Sequence, residues 1–351
     1  MRAPSSLRDN LRSLVQEGTL YKQTDDGRVQ CYACGHRCII GEGRDGICKV
    51  RFNRNNKLWV PHGYTAGIQL DPVEKKPFFH VFPGSTAMSF GMLGCDLHCA
   101  YCQNWITSQA LQDPYAGVPP RLITAAELAQ HASDHGARLL TSTYNEPLIT
   151  AEWAVRVFEE GQRLGLYGAF VSNGNATPEV LTFLRPYVSM YKVDLKSFND
   201  KNYRKLGTTL KNVTDSIEKI HAMGFWLEIV TLIVPGFNDS DAELQGMASF
   251  IKKISSDIPW HVTAFHPDYK MTDPDETDAD TLARAAHIGK NEGLHFVYTG
   301  NRPGELRDME NTYCPGCKAL LVKRHGYRIQ QNRIIHGKCP NCDRKIPGYW
   351  S

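Results

Sequence analysis

The chain has 351 residues, 42% hydrophobic and 22% charged, with a formal net charge of +3. That is enough to bury one large core with small appendages, and too little charge for a global field that would gather nucleic acid or an anionic membrane. No segment approaches the ~18 apolar residues of a membrane span, and the opening MRAPSSLRDNLRSLVQEG is an interrupted amphipathic pattern, so a soluble, cytoplasmic protein is expected.

The eleven cysteines fall into three tight groups: Cys31, Cys34, Cys38 and Cys48; Cys95, Cys99 and Cys102; and Cys314, Cys317, Cys339 and Cys342. Local clusters of this kind in a chain without a secretion signal read as metal or redox sites rather than a disulfide framework. Residues 1–86 carry the first group and end in the Pro-rich connector DPVEKKPFFHVFPG. Residues 87–308 alternate short apolar runs with helical patterns. The runs are AMSFGM (87–92), LLTSTY (139–144), GAFVSN (168–173), MYKVDL (190–195), LEIVTLIVP (227–235), HVTAF (261–265) and HFVYTG (295–300), and amphipathic stretches cover 125–135, 151–164 and 241–255. Strand then helix, repeated, predicts an α/β fold with a parallel sheet. Runs apolar on both faces suit strands covered on both sides. A closed or partial (β/α) barrel is the first choice and an open doubly wound sheet the second. Residues 309–351 hold the last group and are basic. Both ends look like small appendages that need a metal because they are too short to bury a core alone.

In GCDLHCAYC the cysteines follow C-x3-C-x2-C directly after a predicted strand. A tetrahedral zinc there would need a distant fourth ligand, with His98 and His62 as candidates. An iron–sulfur cubane wants one outer ligand per iron, and a short loop that wraps three corners leaves the fourth iron open. The other runs also end in polar or glycine-containing groups: TYNEP, SNG, DLK, VPGFND, AFHPDYK and YTGN. Polar strand ends are what an active site at the C-terminal mouth of a barrel requires. In VPGFND, Asn238 or Asp239 can cap the next helix.

The three-cysteine spacing, with Tyr101 just before the last cysteine, resembles the radical S-adenosylmethionine enzymes as far as about Asn301. The resemblance implies a [4Fe-4S] cluster on Cys95, Cys99 and Cys102 whose open iron chelates S-adenosylmethionine. Reductive cleavage then gives a 5′-deoxyadenosyl radical that abstracts hydrogen from a substrate. It further implies that Tyr144, Asn145 and Glu146 face the methionine amino group and that Ser172 and Asn173 end the next strand beside the cofactor. Asp194 and Lys196 match a D-L-K of the glycyl-radical activating enzymes, with Lys196 toward the methionine carboxylate. His266 matches a position near the adenine and Asn301 the last strand. Together with the connector, TYNEP and the terminal IPGYW, the chain looks like the radical enzymes of the AmmeMemoRadiSam system. That likeness implies AMMECR1-like and Memo-like partners and a reducing partner such as flavodoxin or ferredoxin. Installing a glycyl radical on a partner enzyme is the runner-up activity.

Cys314, Cys317, Cys339 and Cys342 form two C-x2-C knuckles separated by 21 residues that read as a short hairpin, the pattern of a structural zinc ribbon. A rubredoxin-like iron is the alternative occupant. The N-terminal C-x2-C-x3-C-x9-C set is less regular. It suits zinc, placed first, or a second cubane, with His36 as a further candidate ligand. The basic tail, Lys323, Arg324, Arg328, Arg333, Lys338, Arg344 and Lys345 with aromatic Tyr327, raises a zinc-ribbon nucleic-acid module as a competing function, although such charge usually marks a solvated face. A binding module would not need polar strand ends, and nucleic acid is not the expected partner.

Overall fold

The seven apolar runs become seven parallel strands of one sheet in a computed structural model that describes residues 6–306 and 308–350. They are Thr86–Gly91, Leu139–Ser142, Tyr167–Ser172, Met190–Asp194, Trp226–Ile233, Trp260–Ala264 and Val297–Gly300, paired in chain order without reversal. A doubly wound sheet reverses its strand order at a switch point; this one never does, so the barrel-like winding holds. An eighth strand, Gly67–Pro72, comes from the stretch before the first parallel strand and pairs antiparallel with Thr86–Gly91. The two edge strands, Gly67–Pro72 and Val297–Gly300, do not pair with each other. The α/β architecture is therefore a partial barrel.

The helices begin where the sequence supplies caps. Thr124 and Glu127 form a reciprocal capping box at the start of Ala125–Asp134, and Ser240 caps Asp241–Ile254. Helix Ala151–Arg163 buries Trp153, Ala154, Val157, Phe158 and Gly161 against the sheet. A methyl group on Gly161 would stand 2.3 Å from Leu140 Cδ1, so the glycine permits the close approach of helix and strand. Among the described residues no helix is long and apolar enough to cross a membrane.

The connector packs into the barrel interior. Glu228 accepts the backbone N–H groups of Phe79 and His80 at 3.0 Å each, Trp226 Nε1 at 3.0 Å and His261 Nε2 at 2.7 Å. Burial opposes ionisation of this carboxyl, but His261 and its other partners hold its pKa below the usual range.

Two three-stranded sheets build the N-terminal region: Val15–Glu17 with Lys57–Pro61 and Phe52–Arg54, and Tyr21–Gln23 with Val29–Cys31 and Ile39–Ile40. At the other end Thr312–Tyr313, Leu320–His325 and Arg328–Asn332 form a third, and the predicted hairpin turns between its last two strands. Six residues of the basic tail are exposed as a solvated face: Lys323, Arg328, Arg333, Lys338, Arg344 and Lys345. Arg324 departs from that expectation. It is 3% exposed, donates to Phe79 O at 2.7 Å, Thr312 Oγ1 at 2.7 Å and Glu310 O at 3.2 Å, and lies over the Phe79 ring. Its alternating position on a strand turns it inward, where carbonyls and ring faces replace water. The terminal IPGYW docks beside it, with Tyr349 N donating to His80 O and Phe82 N to Tyr349 O, both at 2.7 Å.

Candidate active site

Four of the polar strand ends, TYNEP, SNG, DLK and YTGN, converge with the cysteine loop. Cys95, Cys99 and Cys102 line one cavity of about 400 Å³ together with Tyr101, Tyr144, Asn145, Glu146, Ser172, Asn173, Asp194, Lys196 and Asn301. The loop that carries the thiols is held from several sides. Gln109 Nε2 donates to Leu97 O at 3.2 Å, Lys270 N to Ala100 O at 2.9 Å, and His98 N to Leu206 O at 3.0 Å. Asp96 is 2% exposed and accepts Asn173 Nδ2 at 2.7 Å and Asn175 Nδ2 at 2.8 Å. These bonds fix the loop without spending a sulfur. Burial pushes the Cys99 thiol up to about 12 and the Cys95 thiol well above its ordinary value, so a metal that takes them as thiolates displaces their protons.

The proposed fourth zinc ligands are elsewhere. The His98 side chain is exposed, and its ring stands so close to Gly207 that a methyl group there would meet Cε1 at 2.7 Å. His62 packs edge-on against Trp153 at 4.9 Å. Three sulfurs converging on a polar cavity, with neither histidine turned to complete a tetrahedron, fit a cluster with an open corner.

Glu146 is a brace as well as a wall. Its Oε1 accepts Ser172 Oγ at 2.8 Å and Leu148 N at 3.0 Å, and its Oε2 accepts Asn173 N at 2.8 Å. Burial and then the Asp96 carboxylate push its pKa up to about 8 despite those donors. Asn145 Oδ1 accepts Met92 N at 3.0 Å, which ties two strand ends together. Tyr144 adopts φ +71°, an uncommon left-handed conformation at the cavity wall, and its hydroxyl accepts Lys76 Nζ at 3.0 Å. Asp194 bridges Lys192 and Lys196, the latter at 3.4 Å. Burial opposes its charge, but the two ammonium groups hold the carboxyl below its usual range. Burial opposes the Lys196 charge, but Asp194 outweighs it and holds the ammonium's pKa well above its ordinary value. Tyr101 is buried edge-on to Phe237 at 5.5 Å.

His266 is not brought into this cavity. It is exposed and lines an adjoining one of about 920 Å³, which shares Phe79, Gln103, Asn301 and Tyr327 with the first. Sequence reading missed Lys192, Asp96, Lys76 and His261. Lys192 had a signal, a lone cation inside an otherwise apolar strand run, and Asp96 lay unremarked between two cysteines.

The model of the Radical SAM superfamily matches residues 91–250. The chain belongs to the radical SAM superfamily. An uncharacterized protein of Methanocaldococcus jannaschii is 34% identical over 95% of this chain and 99% of its own length. The pyruvate formate-lyase-activating enzyme of Staphylococcus aureus is 23% identical over 61% of this chain and 89% of its own. A radical SAM methyltransferase from Sphaerobacter thermophilus superposes with a TM-score of 0.48 at 16% identity, covering 86% of this chain and 83% of its own. The chain is a radical SAM enzyme related to pyruvate formate-lyase-activating enzyme.

Proposed function

We propose that Cys95, Cys99 and Cys102 hold a [4Fe-4S] cluster and that the enzyme uses S-adenosylmethionine to abstract a hydrogen atom from its substrate. The observation that carries this is the convergence of three thiols on one buried cavity at the C-terminal ends of parallel strands, facing the Lys196–Asp194 pair. When bound, the cluster and cofactor supply one-electron cleavage of the sulfonium and so a hydrogen-abstracting species. The chain's own part is to bind and orient. Lys196 is a compact, permanently charged donor for the methionine carboxylate, and Asp194 with Lys192 fixes where it points. The carbonyl of Tyr144 and the carboxyl of Glu146 offer acceptors to the amino group. The Trp105–Tyr269 stack, with ring centroids 5.2 Å apart, joins the end of the cysteine loop to the segment whose Lys270 N donates to Ala100 O.

The kinship with an activating enzyme favours a second reading, a glycyl radical installed on a partner's loop admitted through the adjoining larger cavity. Cys314, Cys317, Cys339 and Cys342 fit structural zinc. The AMMECR1-like and Memo-like proteins and a flavodoxin- or ferredoxin-type reductant remain the partners we propose. The test is anaerobic reconstitution with iron and sulfide, reduction, and assay of 5′-deoxyadenosine. Changing Cys95, Cys99 and Cys102 together to Ala should abolish that product; product at the wild-type level would overturn the assignment.

A further inference from the structure

The N-terminal cysteines differ from the C-terminal ones in the measure that separates a single ion from a cluster. A zinc–thiolate bond of ~2.3 Å places tetrahedral sulfurs roughly 3.8 Å apart. The ribbon matches: Cys314 and Cys342 Sγ, and Cys317 and Cys339 Sγ, are 3.6 Å apart. Among the described residues that group alone brings three or more potential ligand atoms within 4.8 Å of one another. Cys31, Cys34, Cys38 and Cys48 do not meet that measure, yet they share one small fold: Cys31 N donates to Cys38 O at 2.9 Å, and a methyl group on Gly46 would stand 3.7 Å from Cys38 Sγ and 3.6 Å from Arg51 O, three residues past Cys48. A cubane presents its irons at separate corners and spreads its thiolates wider than a single ion does.

The lining is built for sulfur with negative charge. Arg51 is 1% exposed, and its Nη atoms are used by Glu152 and Ile149 O. Its Nε has no partner. Hydrogen bonds and fixed charge around the sulfurs are how a protein sets a cluster's potential.

This loop also touches the catalytic one. His36 Nε2 lies 3.0 Å from Asp96 O, and Gly35 N donates at 2.8 Å to the carbonyl of Asn175, whose side chain holds Asp96. A methyl group on Gly94 would stand 3.2 Å from Cys48 O. We propose that Cys31, Cys34, Cys38 and Cys48 bind a second [4Fe-4S] cluster that relays single electrons to the cluster on Cys95, Cys99 and Cys102. One electron enters from a low-potential flavodoxin- or ferredoxin-type donor, and the same electron leaves for the catalytic loop. No bond or proton changes. The relay rests on the function proposed above; the second cluster does not.

The metal content of the reconstituted full-length protein decides. About eight irons, eight sulfides and one zinc per chain are expected, with about four irons kept by the Cys95→Ala, Cys99→Ala, Cys102→Ala variant. Four irons with two zincs in the wild type would overturn the second cluster, whether or not any variant folds. A triple variant that keeps all its iron would instead overturn the catalytic-loop reading. For the relay, the ratio of flavodoxin-driven to dithionite-driven 5′-deoxyadenosine formation should fall about tenfold or more in Cys34→Ala, Cys38→Ala protein. An unchanged ratio would overturn the relay.

Discussion

The two ends of the chain each bring four cysteines and each dock through one buried arginine, yet they are built to opposite purposes. At the N-terminal end Cys31, Cys34 and Cys48 are buried, and the loop leans on the catalytic one. At the C-terminal end Cys317 and Cys342 are exposed, and the ribbon leans on the connector that packs into the barrel. Arg51 meets a carboxylate, bidentate to Glu152 at 2.8 and 2.6 Å, whereas Arg324 meets carbonyls, a hydroxyl and ring faces. The four-cysteine region whose loop touches the candidate catalytic loop is sealed from solvent with its arginine ion-paired; the one that rests on the connector leaves two of its cysteines exposed.

The sharpest way to break that comparison is to remove each arginine. Arg51→Leu strands the Glu152 carboxylate, 3% exposed, without its cation, and removing one partner of a buried pair costs ~3–5 kcal/mol. Arg324→Leu leaves only neutral acceptors unpaired, at ~1–3 kcal/mol. Urea unfolding of both variants at neutral pH should rank them in that order; equal losses would mean that the ion pair is no stronger an anchor than the neutral contacts.

Much of this was legible. All seven parallel strands follow from apolar runs, because strands covered on both faces must be apolar. The partners of the cysteine loop at the strand ends were visible as polar breaks. Gly67–Pro72 was not, since an edge strand with exposed Gln69 and Leu70 carries neither a clean alternation nor an apolar run. His266 lines the adjoining cavity instead of the one with the cysteines, because a loop residue two positions past a strand can point either way, and nothing in sequence records which. Arg324 was lost for the opposite reason. Composition counts its charge but not the aromatic and carbonyl surface waiting for it.

A smaller effect should appear on acidification and belong to the ribbon's side. His80 has Nδ1 2.7 Å from Pro347 O and Nε2 2.7 Å from the Tyr298 hydroxyl. Burial pulls its pKa down to about 4, with Glu228 opposing and Arg324 and His261 assisting. An unfolded histidine titrates near 6.5. Between 6.5 and 4 the unfolded chain therefore binds a proton that the folded chain refuses, and stability is whole above that window and falls within it. The loss from this group is on the order of 3 kcal/mol. Unfolding free energies measured from pH 7 down to 4.5 should fall in the wild type and fall less in His80→Gln. Parallel slopes would assign the acid loss to other groups.

The smallest effect separates two aromatic residues of the ribbon. Trp350 packs at a tilt against His80 with ring centroids 5.0 Å apart and donates Nε1 to Ile346 O at 2.8 Å, so it helps clamp the tail onto the connector. Tyr327, at the hairpin tip, is 44% exposed yet lines both cavities of the barrel mouth. If the ribbon is a staple at its tail and a wall at its tip, Trp350→Ala should cost ~1–3 kcal/mol and Tyr327→Ala no more than ~0.5 kcal/mol. Equal costs in denaturant titrations would make the tip part of the clamp. Unequal costs would leave Tyr327 free to be shaped by what enters the mouth, because a side chain that contributes little to the fold can be replaced without weakening it.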